Sequence, residues 1–445
     1  MKIIIAGAGE VGIHLAKMLS KENHSITLIG EKEDVLSTLN ANYDLMTLTG
    51  DPSSIAVLKD AGCESADLFI GVMPEESRNI VSGFVAHQLG SKKVVVRVEN
   101  PEYTKEEHRK YFQMLGIQSV ICPELLAAQE IIETVNRPWV RQYHSFGKGE
   151  LVLIGVKVRS GACIIDKELK DLFGPNDVCR IAAIKRGHRT IIPSGHDQII
   201  ANDMVYFITT PEEMEKVRKL ADKPVQKVQD VMIMGGSRIA ILAAEKLSKS
   251  LNVKIIERNR KRSEYVKERL GSKVMVIQGD GRDMDLLHDE SISSMEAYVA
   301  LTGSDETNIF SCLAAKRFGV PRTVAEVEQL DYIPMADNLD IGIVVNKKLI
   351  AAGHIYQMML DADVTNMKCL TFADADVAEF IVKEDSKITK KPVKDLRLPE
   401  NVSLGGLIRD GKGIIIYGNT LIQKGDRVVI FCLSSNIQKV EKFFC

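Results

Sequence analysis

The chain has 445 residues, enough for two to four domains, and its 45% hydrophobic and 27% charged residues are the balance of a globular protein. A formal net charge of −2 gives no sign of the strongly basic balance that a nucleic-acid binder presents. No window approaches 18 consecutive apolar residues, so no membrane span is expected. The eight cysteines are scattered without a C-x-x-C pair, and read as reduced thiols rather than a metal or disulfide framework.

The first element is an apolar strand, Lys2–Ala6. It runs into a glycine turn rather than a cleavage site, so no signal peptide is expected. Gly7, Ala8, Gly9, Glu10, Val11 and Gly12 spell G-x-G-x-x-G, and Val11, Leu15, Met18 and Leu19 space out one face of a helix. Glycine tolerates the tight turn and lets a ligand approach the backbone, while the unpaired N–H groups of the helix start suit a phosphate. The second strand ends at Gly30, where a nucleotide-binding unit places an acid for the ribose hydroxyls. Glu31 follows one residue later, and either reaches round to the ribose or is solvated. Gly50 and Asp51 follow the third strand, Val72 and Met73 the fourth, and Arg97 ends the fifth. All lie on the C-terminal strand edge, where ligands bind in open α/β sheets. The planar fork of Arg97 matches phosphate oxygens; the alternative is an ion pair with Glu99. An amphipathic connector, Pro123–Ser145, then leads to a strand-dense segment with a polar turn at Lys185–His188 and a charged helical end at Pro211–Leu220.

From there the chain repeats itself. KIIIAGAGEVGIHLAKMLS (2–20) aligns with DVMIMGGSRIAILAAEKLS (230–248), and residues 48–80 align with 277–309, sharing the Gly-Asp pair and an asparagine, Asn79 or Asn308. The second glycine turn reads Gly235, Gly236, Ser237, Arg238, Ile239 and Ala240, so serine replaces the glycine that admits a pyrophosphate. Arg238 either offsets this by contacting a phosphate or points into water. Glu257 stands where the ribose acid belongs, Gly279–Asp280 and Leu301–Thr302 repeat the strand-end pairs, and Glu326 replaces Arg97. Residues 171–208 are copied at 395–431, after a second connector, Asn346–Asp363, and a charged helical segment, Ser435–Phe444, closes the chain. Strand–helix alternation in the larger units implies βαβ crossovers and a parallel sheet. The predicted plan is α/β: two tandem Rossmann-like domains (1–122 and 226–345), helical connectors (123–140 and 346–364) and a small α+β subdomain after each (141–225 and 365–445).

The duplicated plan and the segments GAGEVGIHLAKML, TGDPSS, ADLFIGV, VVRVENPEY, KIIERN, GDGRD, ALTGSDETNI and LIQKGDRVVIF resemble the TrkA family, peripheral regulatory subunits of bacterial Trk potassium-uptake systems built from two tandem RCK (KTN) modules. The likeness spans essentially the whole chain. It implies a cytoplasmic homo-oligomeric ring, dimer or tetramer, lying against the inner face of the cell membrane under a TrkH-like channel subunit. Such a ring binds NAD(H) and ATP or ADP, and turns their occupancy into opening or closing of the pore. The family's site positions fall on Gly7 through Gly12, Gly30/Glu31, Gly50, Asp51, Val72, Met73 and Arg97, then on Gly235 through Ile239, Glu257, Gly279, Asp280, Leu301 and Thr302. Gly30 departs from the family's acid and Ser237 from its glycine.

Two other classes remain open on the sequence. A nicotinamide-dependent oxidoreductase needs a proton-transfer residue beside the hydride acceptor, and the nine histidines form no pair or triad of recognisable spacing. A scaffold that has lost ligand binding is kept open by Gly30 and Ser237.

Overall fold

The computed structural model describes residues 1–20, 24–174, 177, 179–187, 189–225, 227–359, 364–369, 375–399, 401–433, 440 and 442–444. They form two compact units, Met1–Gln129 with Asn346–Met359, and Glu130–Val345 with Leu360–Cys445.

The first unit is built on a six-stranded parallel sheet, with β1 at Lys2–Ala6, β2 at Ser25–Gly30, β3 at Met46–Thr49, β4 at Leu68–Gly71, β5 at Lys93–Arg97 and β6 at Ser119–Ile121. Their order is β3-β2-β1-β4-β5-β6. Chain direction across the sheet reverses between β1 and β4, which opens a crevice at their C-terminal ends. The strands are near-continuous apolar runs because helices cover both faces. Ile4, Ala6, Phe69, Val94, Val96 and Ile117 lie in one buried cluster. The helix Lys347–Met359, drawn from the second connector, packs against the glycine-turn helix Glu10–Leu19, and Lys348 pairs with Glu10.

The second unit carries the repeat of that sheet, with strands Asp230–Met234, Asn252–Glu257, Val274–Gln278, Ala297–Ala300, Arg322–Glu326 and Ile343–Val345 in the same spatial order. It also holds two five-stranded antiparallel sheets, one from Gln142–Phe146 to Met204–Thr209 and one from Val364–Cys369 to Arg427–Leu433. The two small sheets share a core in which Phe146, Leu153, Tyr206 and Ile208 meet Val377, Ile408, Val429 and Phe431. Each copy repeats one internal clamp. Arg186 Nη2 reaches Asp203 Oδ2 at 2.8 Å, and Arg409 Nη2 reaches Asp426 Oδ2 at 2.6 Å, both carboxylates being only 2% exposed. The turn Asp410–Gly411 has φ of +50° and +71°, the two-residue hairpin that matches strand twist.

The α/β fold class read from the sequence, with two Rossmann-like parallel sheets and small strand-rich sheets beside them, is that of the structure. The first connector is helical over Pro123–Asn136, but its last residues are not: Gln142–Phe146 is the edge strand of the first small sheet. The end of the second connector, His188 and most of Ser435–Phe444 lie outside the described residues. Among those described, no helix is long and apolar enough to cross a membrane.

Candidate functional site

Both glycine turns sit on the C-terminal edge of their sheets, directly against the end of the fourth strand. Gly7 has φ +122° and a Cβ there would stand 2.9 Å from Met73 N; Gly235 has φ +98° and a Cβ would stand 2.7 Å from Leu301 O. These positions are closed to any side chain. Gly12 is also enforced by packing, since a Cβ would lie 1.9 Å from Gly7 O. Gly9 is different. Its φ is −80° and a Cβ would meet nothing within 4 Å, so nothing in this unit's backbone demands glycine. The bare position leaves the helix start without a side-chain cap and open to a ligand. In the second turn Ser237 takes that place and its Oγ accepts the Ala240 N–H at 3.2 Å, so one helix-end donor is already used.

The buried asparagines shared by the repeats hold the strand edge together. Asn79 accepts from Met73 N at 2.7 Å and donates to Met73 O and Arg97 O; Asn308 accepts from Thr302 N at 2.9 Å and donates to Thr302 O and Glu326 O. They position Val72–Met73 and Leu301–Thr302 rather than face a ligand.

The acid at the end of the second strand is where the halves part. Glu257 Oε2 accepts the Gly236 N–H at 2.6 Å and Oε1 accepts the Asn259 N–H at 2.6 Å, while Arg262 Nε donates to Gly236 O at 2.6 Å. A methyl on Gly236 would lie 2.9 Å from Val266 Cγ2 and 3.0 Å from Glu257 Oε2. The carboxylate therefore lies under a turn where a side chain would have to displace Val266 or Glu257. In the first half that turn residue is Ala8, and a Cβ on Gly30 would come 2.4 Å from Ala8 Cβ. Any side chain at position 30 would therefore crowd the Ala8 methyl unless one of the two shifts.

Glu31 neither stands free nor is left to water alone. Arg78 Nη2 donates to Glu31 Oε1 at 2.5 Å and to Asp51 Oδ1 at 2.6 Å. Asp51 is pulled down to about 2, first by the Ser53 hydroxyl and backbone N–H and then by Arg78. Arg97 sits beyond this group, with Glu124 at 3.3 Å and Glu99 at 3.7 Å on its guanidinium. The ion-pair alternative thus has a geometric basis, with Glu124 as the nearer partner.

In the second half the C-terminal edge opens into a cleft of about 470 Å³ that brings together Gly235, Gly236, Ser237, Glu257, Asp280, Leu301 and Thr302. Arg258, Arg262 and Arg282 also line it, as do Ser304 and Thr307, none of which the motif reading singled out. Arg282 grips Asp280 with Nη2 at 2.6 Å and Nε at 3.0 Å, and this holds the Asp280 carboxyl at about 2; Arg258 stands 3.9 Å away. Three arginines face two acids. At the aligned first-half positions Glu31 replaces Arg258, Val35 replaces Arg262 and Ser53 replaces Arg282. The sequence signal for Arg258 and Arg262 was the run Arg258–Asn259–Arg260–Lys261–Arg262 directly after the acid; Arg78 had none, because its partners are 47 and 27 residues away.

Paired parallel sheets, each with a glycine turn at the switch point, define a tandem Rossmann-type protein. Models of the TrkA-N domain match residues 3–123 and 231–347, and models of the TrkA-C domain match 153–222 and 377–444. The chain is 32% identical over 448 residues to the Trk system potassium uptake protein TrkA homolog of Archaeoglobus fulgidus, covering all of both chains. It is 31% identical to the Trk system potassium uptake protein TrkA of Haemophilus influenzae, covering all of this chain and 98% of that one. Among solved structures the GsuK RCK domain superposes with a TM-score of 0.62 at 16% identity, over 100% of this chain and 94% of that one. The GsuK channel bound to NAD gives 0.63 at 16% identity, over 100% and 78%. Those two likenesses concern the fold. The chain belongs to the TrkA family.

Proposed function

We propose that this chain is a cytoplasmic, nucleotide-sensing regulatory subunit of a Trk-type potassium-uptake system, acting at the inner face of the membrane on a TrkH-like channel subunit. NAD(H) and ATP or ADP are the ligands, and the active form is a homo-oligomer assembled from modules with the boundaries read from the sequence. Family membership supports the transport system, and the NAD-bound title of the GsuK neighbour is in keeping with the ligand class. The role is regulatory rather than catalytic.

The observation that carries the reading is the second-half cleft. Glu257 keeps lone pairs for ribose hydroxyls beside the Gly235–Gly236 turn, and Arg258, Arg262 and Arg282 supply the positive charge that a diphosphate needs. We place the principal nucleotide here, against Gly235, Gly236, Ser237, Arg238, Ile239, Glu257, Gly279, Asp280, Leu301 and Thr302. The first half, through Gly7 to Gly12, Gly50, Asp51, Val72 and Met73, offers an uncapped helix start but an acidic rim of Glu10, Glu31 and Asp51, and takes the ligand more weakly. Arg97, already held by two carboxylates, is left out of the ligand contacts.

Gating follows from differential affinity. A nucleotide shifts the ring only as far as it binds one arrangement better than another. Calorimetric titration of the full chain with NADH and then ATP tests the assignment. Saturable binding that Glu257→Ala weakens and Arg97→Ala leaves alone is the expected result. Binding lost with Arg97→Ala and kept with Glu257→Ala moves the working site to the first half, and no binding of either nucleotide leaves a scaffold.

A further inference from the structure

A second cleft in the Glu130–Val345 unit, of about 400 Å³, is lined by Arg141, Lys157, Arg159, Lys223, Lys316 and Arg322. It shares no residue with the glycine-turn cleft. Its residues come from the loop after Pro123–Asn136, from the end of Leu151–Lys157, from the segment after Met214–Leu220 and from the start of Arg322–Glu326. Six cations facing one space are costly unless something answers them. The protein answers only in part. Asp222 alone among the lining residues is acidic. Behind the wall one carboxylate, Asp340, serves four cations: Arg141, Lys316 at 3.1 Å, Lys157 at 3.5 Å and Arg159 at 3.9 Å. Asp337 adds a contact to Arg141 at 3.8 Å.

Two of the cations have no carboxylate within ion-pair distance among the described residues. Arg322, 6% exposed, donates only to the carbonyls of Thr134, Pro138 and Val140, and its Nε has no partner. Lys223 is the other; burial first, then Arg159 and Arg141, push its amine down to about 8. Trp139, the only tryptophan of the chain, forms part of the wall.

We propose that this cleft is a binding site for a small anion with at least two linked phosphates, distinct from the glycine-turn site. A single phosphate answers one or two of these cations, whereas linked phosphates spread charge across the group. Nucleoside polyphosphates and inorganic polyphosphates share this chemistry, and Trp139 gives a base a flat surface that the inorganic ions would not use.

Trp139 makes the test specific, because its fluorescence reports this cleft and no other tryptophan contributes. The full-length protein is titrated with sodium tripolyphosphate and, separately, with ATP. A saturable change with tripolyphosphate, shifted about tenfold or more to weaker binding in the Arg159→Gln/Lys223→Gln variant and retained in Glu257→Gln, supports the site. Arg159 is largely exposed and Lys223 has no carboxylate partner among the described residues, so the double replacement leaves the Asp340–Arg141 contact in place, and circular dichroism of the variant confirms its fold. A change with ATP alone, equally lost in the double variant, makes the nucleoside polyphosphate the source. No saturable change with either probe, an unaltered response in the double variant, or a response abolished by Glu257→Gln overturns the proposal; the last would show a signal relayed from the glycine-turn cleft.

Discussion

The two glycine turns solve the same problem with opposite means. In the first, Gly9 leaves the helix start uncapped, so backbone N–H groups are available, but Glu10, Glu31 and Asp51 surround it with negative charge that Lys348, on Glu10, and Arg78, on the other two, only partly offset. In the second, Ser237 caps the helix and uses one donor, while three arginines line the cleft. One site offers the helix end and the other offers side-chain charge. The strand-end acid follows the same logic of paired change. Ala8 goes with Gly30 and Gly236 goes with Glu257: a Cβ at position 30 would crowd the Ala8 methyl, and a methyl at position 236 would press on Val266 and Glu257. The comparison teaches that a duplicated site diverges in coupled pairs, so a departure judged at one position is misread unless its neighbour across the turn is read with it.

Breaking the pair in the second half has the largest expected effect. Glu257→Ala removes the acceptor we propose for the ribose hydroxyls and frees the Gly236 N–H, and a loss of about 1.5–3 kcal/mol corresponds to roughly ten- to hundredfold weaker NADH binding by calorimetry. Gly236→Ala comes next. Its methyl would press on Val266 and Glu257, at a cost of about 1–3 kcal/mol that a thermal melt reads. A neutral Gly236→Ala would show that the turn and the acid are not coupled.

The first half sharpens the point in reverse. Gly30→Glu alone is expected to destabilise the unit, and adding Ala8→Gly to relieve it, with a coupling of about 0.5–3 kcal/mol in a double-mutant cycle. Additive effects would show that position 30 and Ala8 are not coupled. Arg78→Ala leaves Glu31 and Asp51 facing each other; because the group is part exposed, its stability cost is about 0.5 kcal/mol, and the clearer readout is NMR titration showing the Asp51 carboxyl rising from about 2. The smallest effect is on acid stability. Asp51 and Asp280 are both held at about 2, below their unfolded value of 3.8, so what they contribute is complete above that value and is lost as pH falls towards 2. The denaturant midpoint should fall across that window, less steeply in Arg78→Ala than in the parent.

Much of the fold was legible because its signals are local. The glycine turn, the apolar strand before it and the helix face after it all lie within Lys2–Leu19, and the repeat supplied the second copy with its strand-end pairs. The shared asparagine was visible too, but its role in pinning two strand ends needed the carbonyls of Arg97 and Glu326 in place. What the sequence hid was contact at long range. Glu124 takes Arg97 from 27 residues away, Ala8 crowds position 30 across the turn, and Arg78 bridges two acids across three elements. The six cations of the second cleft come from segments spread between residues 141 and 322, so no window of sequence shows them together.

The shared core of the two small sheets bears on how the chain is made. Tyr206 and Ile208 are synthesised well before Val429 and Phe431, the residues that cover them, with a whole Rossmann domain translated in between. During synthesis the first small sheet therefore exposes an apolar face until the last strands leave the ribosome. A gene cut between its two repeats would yield a leading half with that face bare and prone to aggregate, so the duplication, although written as two modules, is inherited and folded as one.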